Sequence, residues 1–287
     1  MGNFGQLGHG TNISRSSPVQ LGSSSWTAVS AGFYFTAAIR SDGKLFTWGQ
    51  GVSGQLGHGT TNDRSSPVQV GSDSWTAVTA GYSHTVAIRS DAKLFAWGRN
   101  YNGQVGDGIN SDRSAPVQIG SSSWTAVEAG FNFSTAIRSD AKLFTWGQNF
   151  AGQLGDGTTT DRSSPVQIGS SSWTAVAAGG YHVLAIKSNN LLFTWGLNNA
   201  GQLGDGFGYG YDRSSPVQIG SSSWTAVTAG PAHSAAIRTD GKLFTWGNNY
   251  YGPLGLNNNT YYSSPVQVGS GSWASISSHG FHVLGIS

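Results

Sequence analysis

Tryptophan spacing constrains this chain more than any other feature. One series, Trp26, Trp75, Trp124, Trp173, Trp224 and Trp273, lies in SWTAV or SWASI segments at intervals of 49, 49, 49, 51 and 49 residues. A second series, Trp48, Trp97, Trp146, Trp195 and Trp246, lies in LFTWG or LFAWG segments, and the two together account for all eleven Trp. A period of this length, held this closely, confines the chain to a propeller, a solenoid or an array.

Each period holds four short apolar segments. In the fourth copy they are SPVQI (164–168), WTAVAAG (173–179), HVLAIKS (182–188) and LLFTWG (191–196). All are of strand length, rich in β-branched or aromatic residues and bounded by Gly, Ser or Asn. None sustains a helical period. Four antiparallel strands per repeat make one propeller blade. The expected fold class is therefore all-β, a β-propeller of four-stranded antiparallel blades in six repeats. WTAVAAG, with its small side chains, is placed innermost as strand A. HVLAIKS is then B, LLFTWG is C and SPVQI is the outer strand D, where Pro165 leaves no needed ladder bond unmade. The Trp residues read as packing between blades rather than as a light-sensing or ligand-stacking array.

Residues 1–15 match the loop that follows LFTWG elsewhere, and the last copy stops before its own LFTWG. The expectation is one domain over 1–287, favouring a six-bladed ring over membership of a seven-bladed one. Its closing blade is built from strand D at 16–21 and strands A and B within 273–287. That blade lacks a strand C, which leaves edges for self-association with a neighbouring chain.

The segments GQLGDGT, SSPVQIG, WTAVAAG, the His at 182 and LLFTWG resemble the regulator of chromosome condensation (RCC1-like) repeat, in a propeller of bacterial or viral type. The resemblance covers essentially the whole chain and implies the propeller fold. It leaves function open, because that family includes an exchange factor for the Ran GTPase, a plant ultraviolet receptor and a bacterial inhibitor of β-lactamases. The receptor carries Trp in the loop before the His, where this chain has Tyr82-Ser83 or Gly180-Tyr181. Light sensing is therefore not implied. The exchange factor's inserted hairpin has no counterpart here.

Composition narrows the partners. Only 10% of the residues are charged and the net charge is +2, which is no footprint for nucleic acid. With no Cys, disulfides and thiolate metal sites are excluded. No apolar run approaches the ~18 residues of a membrane span, and the first residues show neither the charged start nor the apolar core of a signal peptide.

Differences among the copies point to a surface. The D–A loops (GSSSW and variants) and B–C loops (RSDGK and variants) barely change, whereas the A–B and C–D loops change in sequence, and the C–D loops in length too. Because strand direction alternates, A–B and C–D loops leave a blade on one side and the other two on the opposite side. All ten Tyr lie in or beside the varied loops, together with every Phe outside LFTWG and LFAWG. Tyr beside Gly, Asn and Ser is the composition of adaptable recognition surfaces, and loops on a rigid frame are where binding usually resides. The candidate binding residues are Phe33, Tyr34, Tyr82, Tyr101, Phe131, Phe150, Tyr181, Phe207, Tyr209, Tyr211, Tyr250, Tyr251, Tyr261 and Tyr262. The competing reading is that these rings cap the blade ends and keep water from the core.

Catalytic chemistry is sparse. Glu128 is the only Glu, so a Glu-based acid–base pair cannot form. Asp107, Asp156 and Asp205 sit in GDG turns and Asp63, Asp112, Asp161 and Asp212 precede Arg, positions where Asp bonds nearby backbone N–H groups. The Asp156–Asp161 spacing is a poor match to a calcium loop. His84, His182, His233 and His282 share one slot that holds Phe35 and Phe133 in the other copies, which favours packing over a metal ring. His9, His58 and His279 are scattered. There is no nucleophile elbow and no phosphate-cradling Gly loop.

The expectation is a non-catalytic module without cofactor or metal, recognising a protein or surface glycan through the varied loops. A secreted, cell-surface or virion setting is favoured over the cytoplasm. The alternatives are a GTPase-regulating propeller and a structural spacer without specific ligand.

Overall fold

A computed structural model describes residues 2–278 and 280–287. His279, at the end of the expected last strand A, lies outside the described residues. The chain falls into two compact units, residues 1–134 with 162–165, and residues 135–161 with 166–287.

The first unit opens with β1 (Trp26–Ala31), β2 (Phe35–Arg40), β3 (Leu45–Gly49) and β4 (Arg64–Gln69), then β5 (Trp75–Ala80), β6 (His84–Arg89), β7 (Leu94–Gly98) and β8 (Arg113–Gln118). Each set of four forms one sheet in chain order. The ladders are antiparallel, as in Phe35↔Gly49 and His84↔Gly98. The Pro-bearing strands β4 and β8 take one edge and the small-residue strands β1 and β5 the other. The boundary between the units runs through the third repeat, β9 (Trp124–Ala129), β10 (Phe133–Arg138), β11 (Leu143–Gly147) and β12 (Arg162–Gln167).

The second unit continues with β13 (Trp173–Ala178), β14 (His182–Lys187), β15 (Leu191–Gly196), β16 (Arg213–Ala229), β17 (His233–Arg238), β18 (Leu243–Gly247) and β19 (Tyr262–Gln267), which pair successively. Strands D and A are assigned as one element here, β16, but Gly220 keeps the left-handed turn (φ 57°) and the Gln218 Nε2 bond to its carbonyl that mark the D–A loops elsewhere. A last hairpin pairs β20 (Ser275–Ser278) with β21 (Val283–Ile286). Ser16–Leu21, the expected closing strand D, forms no strand.

Successive repeats pack face to face. In the first unit Ala37, Ile39 and Leu45 of one repeat meet Trp75, Ala87 and Trp97 of the next. In the second, Leu184, Ile186 and Leu192 meet Trp224, Ala236 and Trp246. Strands B and C are therefore covered on both sides, and β6 and β14 are buried at their first five positions. Trp97, Trp195 and Trp246 are fully buried; each is worth roughly 3–5 kcal/mol against Ala. They also bond across the repeat boundary: Nε1 donates to the carbonyls of Gln55, Gln153 and Gln202 at 2.9, 3.0 and 2.9 Å.

Candidate functional site

Four C–D loops are each built on one buried asparagine, Asn100, Asn149, Asn198 or Asn249, and Gly51 takes that position in the loop after β3. Asn100 donates from Nδ2 to Asp107 Oδ1, Ile109 O and Ser111 O, while its Oδ1 accepts from Val105 N. Its own N–H donates to Asp112 Oδ1 at 2.8 Å. Asn149 and Asn198 repeat the arrangement with Asp161 and Asp212. Asp107 and Asp205 each also take an Arg, Arg113 or Arg213, at 2.6 and 2.9 Å. The GDG and DRS aspartates thus hold turns, as their sequence positions imply. The residues that sequence reasoning missed are the Asn hubs and Gln55, Gln104, Gln153 and Gln202, all buried, the glutamines each accepting from a backbone N–H two residues earlier in the loop. Their only sequence signal was recurrence at a fixed offset from LFTWG.

The A–B loops join the C–D loops at the same end of each sheet. The first C–D residue donates its N–H to an A–B carbonyl in Gln50→Tyr34, Arg99→Ser83, Leu197→Tyr181 and Asn248→Ala232, at 2.8–2.9 Å. On this base the first unit carries a run of rings. Phe4 meets Tyr34 at 4.9 Å, Tyr34 meets Phe33 at 4.3 Å, Phe33 stacks on Tyr82 at 4.2 Å and 17°, and Tyr82 meets Phe131 at 5.7 Å. Tyr101 stands apart from that run beneath the Arg99 guanidinium. Phe33 and Tyr101 are exposed, while Tyr34, Tyr82 and Phe131 are half-buried by their neighbours.

The second unit carries three further groups. Phe150 meets Tyr181 edge-on at 5.0 Å. Phe207 lies 5.1 Å from Tyr211 with the Arg213 guanidinium over its ring. Tyr250, Tyr251 and Phe281 form an edge-to-face series at 4.8 and 5.8 Å. Tyr209 and Tyr251 are 85% and 72% exposed, and Tyr261 is also exposed. Tyr262 differs: it opens β19 and packs half-buried against the core. Phe281 belongs with these groups and was not among the expected residues. Phe35 and Phe133, counted beside the varied loops, are instead buried in strand B.

The opposite ends of the sheets hold paired charges. Arg40 forms a two-point bond to Asp42 at 3.1 and 2.7 Å and lies over Phe46, and Lys44 Nζ donates to Ser72 O. Arg89, Arg138 and Arg238 repeat the pairing with Asp91, Asp140 and Asp240. The guanidinium bond holds each of these carboxyls down to about 2. Cation, carboxylate and ring satisfy one another here, whereas at the varied end Tyr101, Tyr209, Tyr250 and Tyr251 stand exposed.

The shared histidine slot is a packing position. His84 and His182 are completely buried, their Nε2 atoms 3.0 and 2.9 Å from the hydroxyls of Ser134 and Ser234. Burial pushes both imidazoles down to about 3 and that of His233 to about 4. His282 is exposed. Among the described residues no three His, Asp or Glu are grouped to hold a metal ion. Glu128, half-buried on β9, is raised to about 7 by burial.

A family model described as the RCC1-like domain matches residues 1–287. No curated protein matches the sequence. Among solved structures, human WBSCR16 superposes with a TM-score of 0.87 at 20% identity, over 99% of this chain and 79% of that one. Yeast Prp20 from a crystal structure on its binding to Gsp1p and histones gives 0.78 at 20%, over 89% and 67%. The structure of Kap60 bound to yeast RCC1 (Prp20) gives 0.78 at 19%, over 89% and 64%. At these identities the likeness is one of fold.

Proposed function

Because the chain belongs to the RCC1-like domain family and has its β-propeller fold, we propose that it is a non-catalytic binding module whose partner is a protein held on the aromatic A–B and C–D loops. The observation that carries this is the outward-facing series Tyr250–Tyr251–Phe281, with Tyr251 72% exposed, where the loop bearing Tyr250 and Tyr251 is fastened from beneath by the buried Asn249, which donates to Asn258 O and accepts from Leu254 N. Large rings on a fixed base bind at low entropic cost. A ring needed to seal the core would be buried, as Phe35 and Phe133 are. An extracellular, cell-surface or virion setting accords with a recognition role.

A GTPase-regulating role is the second reading, favoured by the shared fold with Prp20, whose structure is described with its binding to Gsp1p. Both readings are tested by measuring binding of wild type and the Tyr250→Ser/Tyr251→Ser variant to candidate surface proteins, a glycan array and a nucleotide-loaded GTPase. The proposal expects protein capture lost in the variant with the melting temperature kept. Accelerated nucleotide release would select the second reading, and glycan capture alone would replace protein by sugar. Capture unaffected by the double substitution would refute the site.

A further inference from the structure

Guanidinium groups in this fold are habitually matched to carboxylates. Arg40, Arg89, Arg113, Arg138, Arg213 and Arg238 each donate from Nε to an aspartate oxygen, at 2.6–3.1 Å. Arg64 and Arg99 differ. Both are half-buried, both have a buried Nε without a hydrogen-bond partner, and neither is ion-paired among the described residues. A buried donor left unmet is costly and uncommon, and it points to a partner still to come.

Comparison of the repeats explains how both arise. Asp107 and Asp205 take Arg113 and Arg213, but His58 stands at that turn position in the loop that Arg64 follows. Thr47 Oγ1 gives its proton to Leu56 O at 2.6 Å, so His58 Nε2, 2.9 Å away, donates to Thr47. Burial and the Arg64 charge hold this imidazole below its ordinary range. A neutral ring with its Nδ1 unpartnered thus replaces an acid. Arg99 stands where sister repeats have Gln50, Gln148, Leu197 and Asn248, a position for which no repeat supplies an acid. Its guanidinium lies 5.2 Å from the centre of the Tyr101 ring, and such stacking leaves the edge N–H groups open to a carboxylate.

The two arginines border one loop of the first unit. Arg64 follows the C–D loop that begins at Gln50. Gly98, just before Arg99, lies so close to that loop that an added Cβ would be 3.1 Å from Gln55 Cα. The exposed carboxylates beside them in sequence, Asp63 and Asp112, are engaged by the N–H groups of Gly51 and Asn100.

We propose that this loop receives an acidic protein segment, whose Asp or Glu carboxylates bond Arg64 and Arg99 as Asp107 bonds Arg113. The inference rests on the varied loops being a protein-binding face and adds the chemistry of the partner. The acid is a carboxylate because the sister turn holds one in the same place, with the Asp107 side chain 5% exposed. A net charge of +2 supplies no broad field for nucleic acid.

Fluorescence anisotropy of a labelled octaglutamate peptide at low ionic strength tests this. Wild type should bind it. Arg64→Gln and Arg99→Gln should each weaken binding about fivefold, and together about twentyfold. The charge-matched Arg40→Gln/Arg138→Gln variant, altered at the opposite end of the sheets, should bind as wild type does. His58→Asp gives Arg64 an acid of its own and should also weaken binding about fivefold, which keeps the test decisive if loss of an arginine unfolds the chain. Tyr250→Ser/Tyr251→Ser, in the second unit, should retain octaglutamate, so this inference and the aromatic site fail separately. Wild type that ignores octaglutamate overturns the proposal, as does an equal loss in Arg40→Gln/Arg138→Gln, full binding by the Arg64→Gln/Arg99→Gln variant, or tighter binding of a charge-matched single-stranded RNA.

Discussion

Acid should destabilise this protein through three histidines that never carry charge in the fold. Burial holds His84 and His182 near 3 and His233 near 4, whereas an unfolded imidazole titrates at about 6.5. Between those values the unfolded chain binds protons that the folded chain refuses. The stability they confer is whole above about pH 6.5, declines as pH falls and is spent once the folded values are passed. At about pH 5 each histidine costs roughly 2 kcal/mol, about 6 kcal/mol for the three. Glu128 acts in the other direction. Its folded value of about 7 lies above the ordinary carboxyl range, so its contribution is present in acid and lost as pH rises through about 7. Lowering the pH from about 7.5 to 5 returns roughly 2 kcal/mol through Glu128, leaving a net loss of about 4 kcal/mol. Urea titrations at the two pH values measure this. The decisive variant is His84→Phe/His182→Phe/His233→Phe, which the fold accepts because Phe35 and Phe133 fill the same slot. It should lose the acid sensitivity and become about 2 kcal/mol more stable at about pH 5 than at pH 7.5. An unchanged loss in the triple variant would refute the reasoning.

Other substitutions probe separate links. Gly81→Ala should cost roughly 1–3 kcal/mol in denaturant titration, because an added Cβ would lie 2.2 Å from the His84 ring and 2.6 Å from Gly130 O. Ala92→Gly and Ala141→Gly should each raise stability by up to about 1 kcal/mol, since both alanines stand at φ near 65° where Gly43 and Gly241 serve in sister repeats; a lowered melting temperature would contradict this. Trp246→Phe should cost about 2 kcal/mol by removing the bond to Gln202 O and part of the ring from a closed site. The Tyr250→Ser/Tyr251→Ser variant should keep its melting temperature within a degree or two, because both rings are exposed.

The repeat, its four strands and their order were legible because period-two apolar segments and their Gly and Asn punctuation report local structure directly. So was the gathering of A–B and C–D loops at one end of each sheet, which follows from antiparallel connection alone. Burial set by partners far along the chain was not legible. Asn100 and Gln104 look like ordinary turn residues in RNYNGQVGDG, yet both are buried and bonded. Phe35 and Phe133 were legible as occupants of the His slot, but not that the slot is wholly buried, at 1% and 0% exposed.

How such a chain tolerates varied loops follows from where their hydrogen bonds end. Asn100, Asn149 and Asn198 bond mainly to backbone atoms of their loops, so identity at the tips is unconstrained while the loop bases stay fixed. The loop from Leu197 to Asp212 shows this: Asn198 still spans from its own N–H to Asp212 although the loop is two residues longer than its neighbour, with Phe207, Tyr209 and Tyr211 carried on the extra length. A loop held by side-chain packing at its tip would have lost its frame on lengthening. Here insertion adds exposed aromatic area and leaves the buried bonds untouched, which is the physical condition for changing a binding surface without remaking the fold beneath it.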